Sequence, residues 1–480
     1  MARTRETGLM VTLAVALIAA LVLALTVTSP QDATGVFTLV VGLIAVGGIG
    51  ALALVARPCW PLSLGLALGV FSGHWADMGI PFPLHRLLLL VAIFSALGRQ
   101  WLTRPEGLRT RPVDWLLTVT ALYVVCSTIL AGTLDDAGAR FTLLDRFSLI
   151  AFLLFFVAPF AYREARDRQV LLGVLVALGA YLGLTALIET VGPRGLLFPR
   201  YIDDPAVGIH FDRARGPLVE AAGNGLVLYT CAVAAVIAAV TWRDRRWRGL
   251  AAAVAALCVL GALFTLTRSV WLAAAGGTLG ALLFARETRR YVLPAGVLGA
   301  LVVAIAFAAV PGFADRADTR SNDDRPLWDR YNSNAAALRM LEQRPAVGFG
   351  WGRFATDSAD YYRQGQDYPL TSVRDVHNVF LSNAAELGLL GAGLWLLSLL
   401  TAIAGGVMRR GPPVLRPWRI GLVAVATSYL LAALTTPLGF AAPTLLLWVW
   451  AGVTWTVPAP EELGSHVDER AALAAPQPVS

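Results

Sequence analysis

Three features of the sequence predict an all-α fold, a polytopic transmembrane helical bundle with one large, partly helical extracytoplasmic loop. Hydrophobic residues are 57% of the chain and charged residues 15%, against about 45–50% and 25% in soluble domains. Apolar stretches of about 17–25 residues, each long enough to cross a hydrocarbon core, recur from one end to the other. Arginines gather in alternate short loops between these stretches, as they do where helices cross a membrane back and forth. A soluble enzyme is excluded. The formal charge of +7 is a matter of topology and not of nucleic-acid binding.

The spans read, approximately, as 8–28, 34–56, 61–78, 84–99, 113–131, 146–161, 169–189, 220–241, 249–266, 269–285, 291–310, 378–407, 418–436 and 440–457. That is roughly fourteen, or about twelve if one weak pair drops out. No small-residue cleavage site follows the first, and the chain goes straight into another span, so it reads as a span and not as a signal peptide. With MARTRE inside, the basic loops RQWLTRPEGLRTRP (99–112), YREARDR (162–168), WRDRRWR (242–248), RETRR (286–290) and MRRGPPVLRPWR (408–419) all fall on the cytoplasmic side. Both termini are then cytoplasmic. The organisation is an N-terminal transmembrane bundle (1–310), a large extracytoplasmic loop (311–376), C-terminal transmembrane helices (377–457) and a Pro/Ala-rich tail (458–480) that reads as disordered. Cys59, Cys126, Cys231 and Cys258 show no paired spacing, so neither a disulfide framework nor a metal site is expected. The chain contains no lysine, which leaves all cationic chemistry to arginine.

Given this topology, His74, His85, His210 and His377 fall at or beyond the outer ends of spans, and His466 lies in the tail. A site is therefore expected outside, where the two long outer segments, about 190–219 and 311–376, meet the membrane. Within the second, RPLWDRYNSNAAALRMLEQRPAVGFGWGRF (325–354) carries Leu327, Tyr331, Ala335, Leu338 and Leu341 at helical spacing. Pro345 ends that helix. The alternating Gly348, Gly350 and Gly352 allow a tight turn with close backbone approach. These glycines are not a nucleotide loop, because no strand precedes them and no Lys-Ser/Thr pair follows. The polar, tyrosine-containing stretch 356–374 reads as a flap.

Two further stretches bring polar groups to apolar surroundings. In LFTLTRSVWLAAAGG (263–277), Arg268 sits between two apolar segments. An arginine there snorkels to the interface or meets an anion, and its planar fork suits a diphosphate. In VRDVHNVFLSNAAELGLLG (373–391), His377 and Asn378 open an apolar run that contains Glu386. By itself His377 fits an interfacial or helix-capping role as well as a catalytic one. Glu386 is nine residues further on, roughly 13 Å by helical rise. It is expected to bond a neighbouring helix and support the local packing.

The order TRSVWLA, then an arginine-led helix closing on RPAVGFG, then HNVFLSNAAELGLLG, resembles the O-antigen ligase and polymerase superfamily over about 263–391. That resemblance implies a GT-C-like integral membrane glycosyltransferase, with no cofactor and no metal. Its donor would be a glycan on a polyprenyl (undecaprenyl-type) diphosphate, and its acceptor a glycan, lipid or protein. It implies residence in the cytoplasmic (inner) membrane with the active site facing outward. The key histidine falls on His377, the arginine ending the span before the loop on Arg268, and the arginine leading the loop helix on Arg330. The tryptophan often found shortly after that arginine is replaced here by Asn334, with Trp328 upstream. Arg325 therefore rivals Arg330.

The residue types suit the chemistry. Two arginines can neutralise a departing diphosphate through charge-assisted hydrogen bonds. An imidazole can take the proton of an acceptor hydroxyl. Asn378 and Glu386 would support them. In GPRGLLFPRYIDDPAVGIHFDRARGPLVEAAGNG (192–225), Arg213, Arg215 and His210 could touch the diphosphate or the glycan, or could pair with Asp203, Asp204 and Asp212. Tyr201, Phe211, Tyr361 and Tyr362 could stack on sugar faces. The main rival is a transporter or flippase, which would show charges and broken helices near the midplane and an internal repeat. No repeat is present, and the notable polar groups collect at one face. A purely structural membrane protein has no need of the outer Arg/His set. The other lipid-diphosphate polymerases of cell-wall synthesis carry motifs this chain lacks.

Overall fold

A computed structural model describes residues 57–103, 110–147, 149–309, 325–363, 376–409 and 411–457. The expected spans 8–28 and 34–56, the tail, and parts of the large loop lie outside them. Among the described residues the structure is helical, with no strand. Every remaining expected span coincides with a helix: α1 Cys59–Leu68, α2 Leu84–Thr103, α3 Pro112–Leu130, α4 Leu149–Ala161, α5 Ala165–Val191, α6 Ala221–Thr241, α7 Arg245–Phe264, α8 Arg268–Phe284 and α9 Val292–Ala309. The loop helix α10 is Arg325–Gln343, followed by α11 Val379–Met408, α12 Arg416–Ala433 and α13 Ala441–Thr454. Six of the described helices are long and apolar enough to cross a membrane. The chain is a multi-pass helical bundle.

Two boundaries move for local reasons. The span expected over 61–78 is α1 plus one 3-10 turn, ending at Phe71. Gly73, with φ 89°, then turns the chain into a loop. The span expected from 146 is preceded by a short helix, Ala137–Phe141, and a π turn, Thr142–Arg146.

The helices begin where side chains can satisfy their first N–H groups. Glu220 accepts from the Gly223 N–H at 2.6 Å to start α6. Asn378 accepts from Phe380 and Leu381 at 3.0 and 3.2 Å to start α11. Every residue of α13 is buried. Its indoles pack inside, with Trp450 Nε1 donating to the Trp418 carbonyl at 2.9 Å. By contrast α9 is exposed almost all round, as a lipid-facing helix must be. Small residues let other helices close in: a Cβ on Gly277 would lie 2.5 Å from the Ala424 carbonyl oxygen, where α8 packs on α12.

Interloop contacts divide the molecule into two ends. At the basic end, Arg57 meets Glu164 and Asp167, Trp242 donates to Gln169, Arg111 and Arg409 both lie over Trp455, and Arg416 pairs with Glu287. At the other, loop-bearing end, the 131–145 loop meets 351–353, and 208–220 meets the turn before α8. These pairings follow the alternation expected from the arginines.

α11 is not the single continuous span expected over 378–407. Gly388 has φ 66° and ψ −177° and breaks it. The break frees backbone groups, and the segment after α10 satisfies them. Phe349 and Gly350 donate to the carbonyls of Ala385 and Glu386 at 3.1 and 2.7 Å. Leu389 and Leu390 donate to the carbonyls of Pro345 and Ala346 at 2.8 and 3.2 Å. In an apolar medium such groups must be paired, so the break and the glycine-rich turn require one another. From Gly388 to Met408 the helix is about 20 residues, enough to span the hydrocarbon core. The residues before Gly388 are thereby free to build the loop-bearing end.

Candidate functional site at the loop-bearing end

The turn between α7 and α8 is only Thr265, Leu266 and Thr267. Leu266 takes a left-handed φ of 47°, Thr267 Oγ1 donates to the Thr265 carbonyl at 2.9 Å, and Trp271 Nε1 reaches back to the Ala262 carbonyl at 3.2 Å. This braced turn fixes Arg268 as the first, exposed residue of α8. Across from it stands Arg330, half-buried on the second turn of α10. Burial first, and then the neighbouring Arg268 charge, lower the Arg330 guanidinium from its ordinary value. Two residues far apart in sequence thus bring like charges within electrostatic reach of one another, a setting that favours an anion.

His377 lies immediately before the Asn378 cap of α11, half-buried. Its neighbour Val376 packs with Ala337 and Met340 of α10 and with Phe354 and Ala385. The helix carrying Arg330 and the segment carrying His377 therefore share one small core. Glu386 accepts the Phe354 N–H at 3.0 Å. Phe354 is the first residue of the short helix Phe354–Asp357. The glycines behave as expected: φ is 69° at Gly348, 103° at Gly350 and 82° at Gly352. A Cβ on Gly348 would meet the Glu386 carbonyl oxygen at 2.4 Å.

The other candidates divide. Arg213 Nη1 reaches Thr267 Oγ1 at 3.4 Å, one residue from Arg268. His210 Nδ1 lies 3.9 Å from Glu220 Oε1. Arg215, fully buried, donates to the carbonyls of Val207, Ile202 and Asp204 at 2.6, 2.9 and 2.6 Å. It organises its own loop and does not pair with the Asp204 carboxylate. The Arg194 and Arg215 guanidinia lie over the Phe211 ring. Asp203 pairs with Arg194 at 3.0 Å. Tyr201 is buried, donates to the Pro217 carbonyl at 2.8 Å and stacks on His74. Tyr361 bonds Gln343 through its hydroxyl and packs edge-on against Phe349. Arg325 opens α10, but its side chain is outside the described residues, as is 364–374 of the expected flap.

Two residues bear on this end without a clear sequence signal. Trp351 is buried, donating from Nε1 to the Ala139 carbonyl at 3.2 Å, while Thr133 Oγ1 donates to its carbonyl at 2.6 Å. It docks the glycine turn onto the 131–145 loop. Glu220 both caps α6 and faces His210. Its place just before an apolar run, three residues ahead of a small residue, was the available sign. Among the described residues no cluster of His, Cys, Asp or Glu could hold a metal.

Residues 253–396 match a family model described as O-antigen ligase. The match begins in α7 and ends in α11, so it takes in Arg268, Arg330, His377 and the paired backbone at Gly388. Among curated proteins none matches the chain. The resemblance read from three motifs is thereby supported: this part of the multi-pass helical bundle is similar to O-antigen ligases.

Proposed function

We propose that the protein is a membrane glycosyltransferase that transfers or polymerises a glycan from a polyprenyl-diphosphate donor, at the outer face of the cytoplasmic membrane. The loop-bearing end is the outward one. Arg268 and Arg330 hold the diphosphate, and His377 is the general base. The acceptor hydroxyl oxygen attacks the anomeric carbon of the donor sugar, the bond from that carbon to the diphosphate oxygen breaks, and the hydroxyl proton passes to His377. Negative charge grows on the departing diphosphate, where two guanidinia stabilise it by charge-assisted hydrogen bonds. They supply the positive charge for which other transferases use a metal ion. Arg213 and His210 flank this site, Asn378 positions His377 as the helix cap, and Glu386 holds the turn beneath it.

The observation that carries the reading is that Arg330 feels the Arg268 charge, both residues lying inside the segment that matches O-antigen ligases. The test is turnover in liposomes with polyprenyl-diphosphate glycans from the native host, scoring lipid-diphosphate release and glycan transfer. Wild type should turn over, and folded His377→Ala and Arg268→Ala should not. No turnover with any native donor, with donor movement across the bilayer that survives both substitutions, would replace the transferase by a flippase.

A further inference from the structure

The loop after α5 folds back along the bundle and does not stand clear of it. α5 carries an apolar run, 170–188, between Arg168 and Glu189. That run is roughly 28 Å long, close to the ~30 Å of a hydrocarbon core. Glu189 therefore marks the edge of the core at the loop-bearing end. Tyr181 lies eight residues before it, roughly 12 Å deeper. Its hydroxyl donates to the Phe198 carbonyl at 2.6 Å. Side chains on a helix lean toward its N-terminus, here the basic end, so Tyr181 does not reach up to meet the loop. The loop comes down to Tyr181.

α1 gives the same depth by an independent route. Its start is tied to the basic end, where Cys59 Sγ donates to Asp167 Oδ1 at 3.3 Å. α1 and its 3-10 turn, Cys59–Leu68 and Gly69–Phe71, then rise roughly 20 Å. At that height the Phe71 ring meets the Tyr181 ring, with 6.0 Å between centroids. Roughly 10 Å of core is left above them, and the loop fills part of it. Irregular backbone is tolerated at such a depth only where its polar groups are paired. Pairing of that kind is present. Leu196 and Leu197 donate to the carbonyls of Pro193 and Arg194, each at 2.9 Å, and Ile202 to that of Pro199 at 3.2 Å. The Arg215 guanidinium takes the carbonyls of Ile202, Asp204 and Val207.

The side chains at the bottom of the loop point two ways. Leu197 is buried with Tyr201, Ile202 and Val219. Its neighbours Leu196 and Phe198 are 68% and 70% exposed. On α5, Leu184 and Val191 are each 51% exposed; seven residues apart, they share one helix face, the stripe a spanning helix turns to lipid. Leu184 is one turn from Tyr181, which holds Phe198, so the exposed apolar side chains of loop and helix adjoin. Arg200, exposed two residues further on, has an aliphatic stem long enough to keep its guanidinium among the headgroups. Asp204, Pro205 and Ala206 are exposed in the polar part of the loop.

We propose that this loop is a wedge in the leaflet at the loop-bearing end, with Leu196 and Phe198 set among the acyl chains of the surrounding lipid. No step of this depends on glycosyl transfer. The test places a nitroxide on Leu196→Cys, and separately on Phe198→Cys, in full-length protein in nanodiscs, with the exposed Cys126 first replaced by serine. Collisions with dissolved oxygen, which concentrates in hydrocarbon, are compared with collisions with a water-soluble nickel chelate. Labels on Leu184→Cys and Ala206→Cys calibrate lipid and water. Both loop labels should match position 184, with oxygen collisions several-fold in excess, at a depth of roughly 10 Å. Loop labels that match position 206 would overturn the wedge. On the unaltered sequence, a phospholipid carrying a mid-chain diazirine should tag the tryptic peptide 195–200 as well as the spans. Tagging of the spans with none on that peptide would overturn the wedge even if neither cysteine variant folds. Either result leaves the turnover assay to decide the transferase separately.

Discussion

One pair of arginines at the loop-bearing end differs from the arginines at the basic end. At the basic end they meet carboxylates and rings: Arg57 with Glu164 and Asp167, Arg111 with Asp114, Arg416 with Glu287. At the loop-bearing end Arg194 pairs with Asp203 in the same way, but Arg330 is half-buried and feels the Arg268 charge. The first arrangement orients helices in a membrane and needs nothing further. The second brings two like charges near one another, a setting that favours an anion. Counting arginines does not separate the two; what each guanidinium faces does.

Substitutions should separate the ends in a graded way. His377→Ala should lower kcat by about a hundredfold or more, the usual contribution of a positioned general base. Arg268→Ala and Arg330→Ala should each lower kcat/KM by about a hundredfold, and the double variant by less than the product, because in the proposed site both act on one diphosphate. Gly388→Ala should be the most destabilising change that touches no substrate. Its Cβ would meet the Ala346 carbonyl oxygen at 2.2 Å in a left-handed backbone. Thermal unfolding should drop by several degrees, with a cost on the order of a few kcal/mol. Arg215→Ala should also lower the melting temperature, by freeing three loop carbonyls, with a smaller effect on kcat. Arg416→Ala at the basic end should change stability and activity least, since an exposed ion pair contributes about 0–1 kcal/mol. If Arg416→Ala matched Arg268→Ala in turnover, the contrast between the ends would fail.

What could be read in advance follows from how local each signal is. Span positions were legible because apolar length is a property of one segment, and the α10 stop at Pro345 because proline acts on its own neighbour. Arg268 and His377 stood out as polar residues at the mouths of apolar runs. The sequence does not distinguish α13 from α9, since both are apolar all round. Only packing makes one the centre and the other the lipid face. The break at Gly388 was hidden for a different reason. Its freed carbonyls and N–H groups are satisfied by residues 345–350, some forty positions upstream, and a glycine in an apolar helix is ordinarily tolerated.

The central claim is that Arg268 and Arg330 together form a diphosphate site. Its most direct test is equilibrium binding of a polyprenyl diphosphate and of the matching monophosphate to wild type, Arg268→Ala and Arg330→Ala in nanodiscs. The account predicts tighter binding of the diphosphate, a loss of about tenfold or more on removing either arginine, and loss of the preference over monophosphate. Equal affinity for the two lipids in wild type, unchanged by either substitution, would contradict it.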